Sequence, residues 1–535
     1  MRKRLTSILL VLCMVLGVMS GCGKKDGETS SGGGSTLTVG IPQNFNVTSY
    51  DDNAFTKYIE ESLDINIKFV FFPSDVTYYL QQLTLMATTN EKMPDVLWGF
   101  NGMGSTSASD FGDDGYFIDL TDLIEKYGTN YKEKIASLPK EEQERIQRKG
   151  TSDSGNFYAM PLVTNKMIDN LSYMMYINQT WLDKLGLQAP SNIEELYNVL
   201  SAFKTKDPNG NGAADEIPLL GMPGGTYDMN SYIINAFTYF DAQNSFNVTD
   251  GKLEASYISD EYRNAIIYMN KLHSEGLLSD LCYSLSGTNE FANLITPTTG
   301  NSLVGIWCGH PSLFADVSNP VLKEYTALSS LSDVTGKGGY TVVRNNALYW
   351  SSVITKDCEN VELAMKFLDF FYADETTSRM RFGEKGVDWE ESTGKDIYGN
   401  DAIISVLNDN AFFKGAQTWG VNSCSVFTYK NYSAISSSET ADSALMQGTW
   451  EVMDSAKLPK EKAEDLYYTA EEYEEKTTYQ NQIDSFVYEQ RSLFVTGDKD
   501  PNNDAQWNEY LSTLSKLGLE KWTKIAQKAY DRIEK

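Results

Sequence analysis

The stretch INIKFVFFPSDVTYYLQQLTLMATTNEKMPDVLWG, residues 65–99, decides the fold class. Its first eight residues, 65–72, are mostly apolar or β-branched and end at a proline, which predicts a buried strand. Asp75 then caps a helix that we expect to run to about Ala87. Residues 94–99 follow as another strand that ends in a loop. Four residues are available for the buried face of the helix: Tyr78, Tyr79, Leu83 and Met86.

The sequence on the N-terminal side continues this alternation. Leu37 to Ile41 has the pattern of a buried strand and residues 54–63 have helical periodicity, so residues 37–99 form a βαβαβ pattern. This pattern predicts a parallel sheet covered by helices. Ligands of such sheets bind at the carboxyl ends of the strands, where Trp98 would lie. Further helical patterns, which make the predicted fold class mixed α/β, occur at 193–203, 262–272, 363–371 and 522–533.

Length and charge restrict the possible functions. The 535 residues are enough for roughly two to four domains. The net charge of −28 arises from 45 basic and 73 acidic residues, and a negative field of this size repels phosphate backbones and anionic headgroups. Nucleic acid is therefore not an expected partner, and a strongly anionic ligand is disfavoured. The two histidines, His273 and His310, are too few for a histidine-rich metal site.

The N-terminus has the pattern of a secreted lipoprotein. Residues 1–4 read MRKR, residues 5–19 are mostly apolar but too short to span a bilayer, and small residues precede Cys22. These features resemble a bacterial lipobox. We expect a signal peptide at 1–21, acylation of Cys22 and a flexible Gly/Ser-rich linker over 22–36. Since no other segment is long and apolar enough to cross a membrane, the body should be held to the outer face of the cell membrane by lipid alone.

Four further cysteines lie far apart and have no CxxC spacing: Cys282, Cys308, Cys358 and Cys424. Four cysteines permit three disulfide pairings, which sequence does not separate. We favour free or buried thiols over a disulfide framework.

The sequence DPNGNGAADEIP, residues 207–218, has the first half of an EF-hand calcium loop. Oxygen ligands stand at loop positions 1, 3 and 5, and a glycine stands at position 6, where the chain must turn sharply. Position 12 is Pro218 instead of a bidentate glutamate, and no second loop pairs with this one, which argues against a calcium sensor. The alternative is a polar surface turn without metal. The expected ligands of a Ca²⁺ ion are Asp207, Asn209, Asn211, the Ala213 carbonyl, Asp215 and Glu216.

Several blocks resemble the extracellular solute-binding lipoproteins of carbohydrate ABC importers, the family 1 binding proteins of the long oligosaccharide and alginate type. The most specific block is 181–218, which joins WLDKLGL, a proline, a capped helix and the calcium loop. Supporting pieces are MPDV at 93–96, GNFYAMP at 155–161 and GEKGVDW at 383–389. The resemblance covers most of the chain from Leu37 to the C-terminus.

This resemblance implies two α/β lobes joined by hinge crossings, the type II fold of periplasmic binding proteins, which closes on its ligand. Lobe 1 would comprise 37–168 and 341–410, and lobe 2 would comprise 169–340 and 411–535. A protein of this kind captures an oligosaccharide and delivers it to ABC importer permease subunits without changing it chemically. Its calcium is structural, and we expect a monomer.

A sugar site needs flat aromatic platforms and planar polar groups. Trp98 follows a strand, and Trp307 lies in a Gly-flanked turn that resembles a sugar-contacting turn of maltose-binding relatives. Trp389 and Trp419 lie in Gly-punctuated loops, with Asp388 as a polar neighbour. Because large exposed indoles on such loops mark surfaces that a partner covers, we expect these five residues to contact the sugar.

Two other functional classes stay open. A secreted glycoside hydrolase or lyase would use a pair of carboxylates, but no particular pair is singled out by the sequence. A binder of a non-sugar solute, such as a peptide or a metal chelate, would use the same fold. Few basic residues lie near the aromatic loops, which favours a neutral solute.

Overall fold

The computed structural model describes residues 34–165, 171, 173–224, 227–285, 287–297, 300–311, 319–344, 347–395, 401–408, 415–428, 441–454, 456–464, 466 and 468–533. The predicted signal peptide, Cys22 and nearly all of the linker lie outside the described residues. Among the helices of the described part, none combines the length and the apolar character needed to cross a membrane.

Fourteen strands are present in the described residues. In chain order they are β1 (Ser35–Pro42), β2 (Ile65–Phe72), β3 (Val96–Leu97), β4 (Ala159–Asn165), β5 (Met175–Asn178), β6 (Ile217–Leu220), β7 (Phe246–Thr249), β8 (Lys252–Ala255), β9 (Val304–Cys308), β10 (Tyr325–Ala327), β11 (Ala347–Ile354), β12 (Trp389–Glu391), β13 (Ile404–Val406) and β14 (Ser425–Thr428). They form a six-stranded sheet, a four-stranded sheet and two hairpins, β7–β8 and β12–β13.

The six-stranded sheet is the centre of lobe 1 and has the order β14–β4–β11–β3–β1–β2. β1 runs parallel to β2 and β3, and β14 runs parallel to β4. β11 is antiparallel to both β3 and β4. The carboxyl ends of β1, β2, β3, β4 and β14 therefore meet at one edge of the sheet, as the βαβαβ pattern predicts.

The four-stranded sheet is the centre of lobe 2 and has the order β10–β5–β9–β6. β9 is parallel to β6 and antiparallel to β5, which also pairs antiparallel with β10. Separate hydrophobic clusters pack on the two sheets. The mixed α/β architecture with two lobes confirms the predicted fold class.

Helices cover both sheets. In lobe 1 they are α1 (Ala54–Leu63), α2 (Val76–Thr89), α3 (Gly104–Asp113), α4 (Thr121–Tyr127), α5 (Thr129–Ala136) and α6 (Lys140–Gly150). In lobe 2 they are α7 (Gln179–Leu185), α8 (Ile193–Thr205), α9 (Met229–Asn235), α10 (Asp260–Ser274), α11 (Leu281–Ser284) and α12 (Thr288–Ile295). The chain then adds α13 (Val361–Phe370) and α14 (Asp374–Phe382) to lobe 1, and α15 (Ala441–Asp454), α16 (Ala470–Thr496), α17 (Asp504–Lys516) and α18 (Leu519–Ile533) to lobe 2.

The chain passes between the lobes three times. The first crossing lies between β4 and β5, the second between Val343 and β11, and the third between β14 and α15. The first two crossings are tied to each other, since Leu171 forms an antiparallel bridge with Val343. The predicted division at 168/169 lies outside the described residues, and the division at 340/341 stays a prediction.

The predicted division at 410/411 differs from the structure. β14 begins at Ser425 and pairs with β4 in the lobe 1 sheet, and Trp419 lies in the lobe 1 core. The segment that returns to lobe 1 therefore extends to Thr428. The error arose because the pattern of residues 415–428 is too short and irregular to predict that β14 forms the edge strand of this sheet.

The four described cysteines are all buried, and no disulfide joins any of them, as predicted. Burial raises the pKa of the Cys358 thiol to about 11 and that of Cys282 to about 12. Thiols with such values stay protonated at neutral pH and behave as small apolar side chains.

Candidate ligand-binding site

A cavity of about 460 Å³ opens at the carboxyl edge of the lobe 1 sheet, and we call it the strand-edge cavity. Its walls come from the turns that follow β1, β2 and β3 and from the segment that precedes β14. The lining residues are Pro42, Gln43, Asn44, Phe45, Asn46, Ser74, Val76, Tyr79, Gly99, Asn101, Gly102, Gly420 and Val421. Every one of these described lining residues is uncharged, so the cavity suits a neutral, hydrogen-bonding ligand.

The turn after β1 holds Phe45 out toward solvent. The Asn44 backbone N–H donates to the Tyr50 hydroxyl at 2.9 Å, and the Asn44 side-chain amide donates to the Gly420 carbonyl at 2.9 Å. The Asn46 N–H returns to Asn44 Oδ1 at 3.0 Å. With its neighbours fixed in this way, Phe45 is 80% exposed. Its ring therefore offers the cavity a flat apolar face beside polar groups.

Gly420 is required at its place in this wall. It has a φ of +67°, which favours glycine, and a Cβ would come within 2.6 Å of Asn44 Nδ2. A side chain at position 420 would therefore displace the amide that positions Phe45.

The turn after β3 carries an acceptor without a partner. Asn101 Nδ2 donates to the Asn422 carbonyl at 2.9 Å, while Asn101 Oδ1 is buried and accepts nothing within the described residues. A buried acceptor left in this state costs about 1–3 kcal/mol, and a ligand hydroxyl at this place would remove the cost.

Gly102 and Tyr79 also line the strand-edge cavity, next to Asn101. A Cβ on Gly102 would approach Val76 Cγ2 to 2.4 Å and the Tyr79 hydroxyl to 2.8 Å, so only glycine allows this packing. Burial raises the pKa of Tyr79 to about 12. The Tyr79 hydroxyl is therefore neutral at physiological pH and adds no charge to the cavity.

Trp98 and Trp419 do not offer a ring to this cavity. Both indoles are fully buried, and they meet edge to face with their ring centroids 4.7 Å apart. Trp419 Nε1 donates to Thr56 Oγ1 at 2.8 Å inside the core. The adjacent Gly99 and Gly420 line the cavity instead, so the two indoles anchor the loops that form its wall.

The other predicted contact residues are also buried. Trp307 lies inside β9 and is fully buried. Trp389 belongs to the β12–β13 hairpin, where its Nε1 donates to the Gly383 carbonyl at 3.0 Å. The Asp388 carboxylate accepts the Glu384 N–H at 2.8 Å and is buried in the same turn. The exposure predicted for the four indoles is therefore wrong, because each ring packs into a cluster of apolar side chains: Trp98 and Trp419 in lobe 1, Trp307 in lobe 2 and Trp389 beside Phe382 and Ile404.

The predicted calcium loop is compact and rich in carboxylate. Asp207, with a φ of +44°, accepts the N–H groups of Asn211 and Gly212 at 3.1 and 3.0 Å. The Asn211 side-chain amide donates to both Asp215 oxygens at 3.0 Å. Burial, followed by the negative charges of Asp207 and Asp215, raises the pKa of Glu216, whose Oε1 is buried and has no partner within the described residues.

Convergent carboxylates with an unpartnered oxygen suit a hard divalent cation, which prefers oxygen ligands. No group of three His, Cys, Asp or Glu side chains in the described part of the chain has a metal-binding arrangement by itself. A Ca²⁺ ion would therefore need the amide oxygens of Asn209 and Asn211 and the Ala213 carbonyl in addition to the carboxylates, which is the predicted ligand set.

Comparisons with known proteins agree with the two-lobed fold. A family model described as bacterial extracellular solute-binding protein matches residues 46–377. FusA, the fructooligosaccharide ABC transporter substrate-binding protein of Streptococcus pneumoniae, is 23% identical over 483 residues, which are 89% of this chain and 86% of FusA.

Solved structures show the same fold. FusA in complex with kestose matches with a TM-score of 0.73 at 21% identity and covers 94% of this chain and 99% of that structure; a FusA EF-hand mutant has been solved with fructo-nystose. An HMO-binding, ABC-transporter-associated solute-binding protein of Bifidobacterium longum infantis matches with a TM-score of 0.75 at 22% identity. The match covers 93% of this chain and 99% of that structure. The family match spans more than half of the chain and the fold agrees with it, so the chain belongs to the bacterial extracellular solute-binding proteins.

Proposed function

We propose that this protein captures a neutral oligosaccharide outside the cell and delivers it to the membrane subunits of an ABC importer. The observation that carries the proposal is the uncharged strand-edge cavity with its exposed Phe45 ring and the free Asn101 acceptor. Sugars present apolar C–H faces and rings of hydroxyls, which such a wall complements. FusA, a fructooligosaccharide substrate-binding protein, and the HMO-binding protein of Bifidobacterium support the same class of solute.

Binding would use both lobes. The bridge between Leu171 and Val343 ties two of the three crossings together, so lobe 2 can rotate over the strand-edge cavity about a narrow hinge. Closure excludes water and strengthens each hydrogen bond to a sugar hydroxyl. Such a site holds its solute without chemistry, and the solute should be recovered intact.

The anchor and the metal complete the proposal. Acylation of Cys22 would tether a monomeric chain to the outer face of the membrane through the linker at 22–36. Ca²⁺ bound by the loop at 207–218 would be structural, because no residue of that loop lines the strand-edge cavity. The existence of an EF-hand mutant of FusA, a relative with the same fold, supports a calcium loop of this kind.

A glycan array tests the proposed function. The purified mature chain should bind one or more neutral oligosaccharides, and mass spectrometry after long incubation should find the bound sugar unchanged. Cleavage products would favour the hydrolase or lyase. Binding of peptides in a parallel peptide array, with no glycan bound, would favour a non-sugar solute on this fold.

A further inference from the structure

A second cavity, of about 410 Å³, lies between the lobes beside α3, and we call it the interlobe cavity. One wall is a side of α3 that carries Ser105, Thr106, Ser109, Asp110 and Asp113. The opposite wall belongs to lobe 2 and includes Tyr468, Tyr473, Lys476 and Gln480. A ligand in this cavity would therefore touch both lobes at once.

The two cavities adjoin each other along the chain. Gly102 lines the strand-edge cavity and Ser105 lines the interlobe cavity. Three residues span at most about 10 Å, so the turn that begins α3 separates the cavities by a short distance. A single small ligand fills one cavity, whereas a chain-like ligand can pass around this turn and occupy both.

The lobe 2 wall of the interlobe cavity is aromatic, and its lysine is already engaged. The Lys476 ammonium lies 5.0 Å from the Tyr468 ring centroid and 4.8 Å from the Tyr473 ring centroid. It also donates to Gln480 Oε1 at 2.7 Å. Because the Tyr473 ring remains 43% exposed, the wall offers an aromatic surface and leaves Lys476 poorly placed to bind an anion.

The lobe 1 wall has an excess of acidic side chains, since Asp110, Asp113 and Asp153 line it together with one lysine, Lys149. Partial desolvation raises the pKa of Asp110, although its side chain is exposed at the cavity, and the charges of Asp114, Asp113 and then Glu474 raise it further. Because Glu474 belongs to lobe 2, both lobes contribute negatively charged side chains near this cavity. Carboxylates of this kind accept hydrogen bonds from hydroxyls and repel the carboxylate of an acidic sugar.

We propose that the interlobe cavity is a distal subsite for uncharged sugar units, so that the transported solute is a neutral chain that extends from the strand-edge cavity around the start of α3. This inference rests on the proposed function and deepens it. It makes chain length and the absence of charge the two determinants of specificity.

Titration calorimetry with homologous sugars tests the subsite. The panel is fructo-, malto-, cello- and manno-oligosaccharides of three to six units, with oligogalacturonates of the same lengths. For the neutral series that binds, affinity should rise about tenfold from three to five units, while oligogalacturonates gain nothing. Tyr473→Ala should lower the affinity for five units to near that for three. Tyr488→Ala, an exposed tyrosine on the same helix that does not line the cavity, should leave the increase with length intact.

A labelling experiment gives a second readout that does not depend on stability. Ser109→Cys places a thiol on the α3 wall, and peptide mass spectrometry measures its reaction with a maleimide. Five sugar units should protect position 109, and three units should not. If a neutral sugar binds but affinity is independent of length, or the label reacts equally with all lengths, the distal subsite is wrong and the proposed function survives. If no sugar of the panel binds, both fail.

Discussion

The Phe45 ring is exposed. Hydrogen bonds made by the neighbouring residue Asn44, rather than burial of the ring, hold this part of the chain in place. We predict that Phe45→Ala weakens binding of a neutral oligosaccharide about tenfold, because a stacked ring face contributes about 1–1.5 kcal/mol. Calorimetry measures the change. Tyr78→Ala is the matched control, since Tyr78 is also largely exposed, at 62%, but does not line the cavity. Equal losses in both variants would indicate a general effect on lobe 1.

Trp98 has the opposite character, since it is fully buried against Trp419 and Phe371. Replacing a buried ring by a methyl group leaves a cavity and costs about 3–5 kcal/mol. We therefore predict that Trp98→Ala lowers the free energy of unfolding by about that amount, measured by denaturant titration. If Trp98→Ala instead keeps its stability but no longer binds sugar, Trp98 would be a sugar-contact residue, as its position after β3 suggests.

The sequence predicted the loops of the site better than its side chains. Trp98–Gly99 and Trp419–Gly420 do lie at the strand edge, the first pair directly after β3 and the second in the segment before β14. The indoles enter the core and the glycines reach the cavity. Sequence holds no signal for this orientation. Phe45 was missed because no motif surrounds it, although its place directly after β1 is the position at which ligands of parallel sheets bind.

Among the elements, the loop at 207–218 supports a prediction on metal removal. A ligand that binds only the folded state adds about 2.7 kcal/mol at a hundredfold excess over its dissociation constant. EDTA should therefore lower the melting temperature of the wild type, and Asp207→Ala should remove that response. Asp250→Ala alters a second aspartate of lobe 2 with a positive φ, outside the loop, and should keep the response. A wild type that melts identically with and without EDTA would show that the loop is a turn without metal.

Helix α16 contains a carboxylate whose titration affects stability. Burial raises the pKa of Asp484 from 3.8 to about 6, despite a hydrogen bond from Gln480 and the nearby Lys476. Because the folded pKa lies above the unfolded one, the stabilisation is complete below about pH 4 and is lost as pH rises through about 6.

We therefore predict that Asp484→Asn melts like the wild type near pH 4 and at a higher temperature than the wild type near pH 7. Thermal melts across this range measure the difference. Glu489→Gln, at an exposed position of the same helix, controls for the loss of one charge. A difference that does not change with pH would contradict the assignment to Asp484.

The sequence predicted the ends of helices and strands correctly where a single local signal, such as one capping residue or a proline, marks the end. Residues 54–63 and 65–72 have the predicted bounds, and Asp75 caps α2 as expected. Helix α8 is capped by Asn192, whose side chain accepts the N–H groups of Glu194 and Glu195, although Ser191, one residue earlier, is also a residue type that favours the cap position. Two neighbouring residues that both favour the cap position leave the choice to tertiary packing, which sequence does not contain.

For the whole molecule, the N-terminal anchor gives a direct prediction. If the proposed acylation of Cys22 is the anchor, Cys22→Ser should move the protein from the detergent phase to the aqueous phase in a phase-partition assay. Ser31→Ala, within the same linker, should partition like the wild type. If Cys22→Ser still enters the detergent phase, another part of the chain holds the membrane.

The order in which the sheet of lobe 1 is assembled has a consequence for the life of the chain before it binds anything. β4 lies between β11 and β14, whose last residue is Thr428. A chain that emerges from its N-terminal end therefore cannot complete its first lobe until four-fifths of it has appeared, and lobe 2 must wait for α16 to α18. Pairings so distant in sequence form slowly. The newly made chain thus spends a long interval with both lobes incomplete, and it should depend on protection from proteases until the last helices arrive.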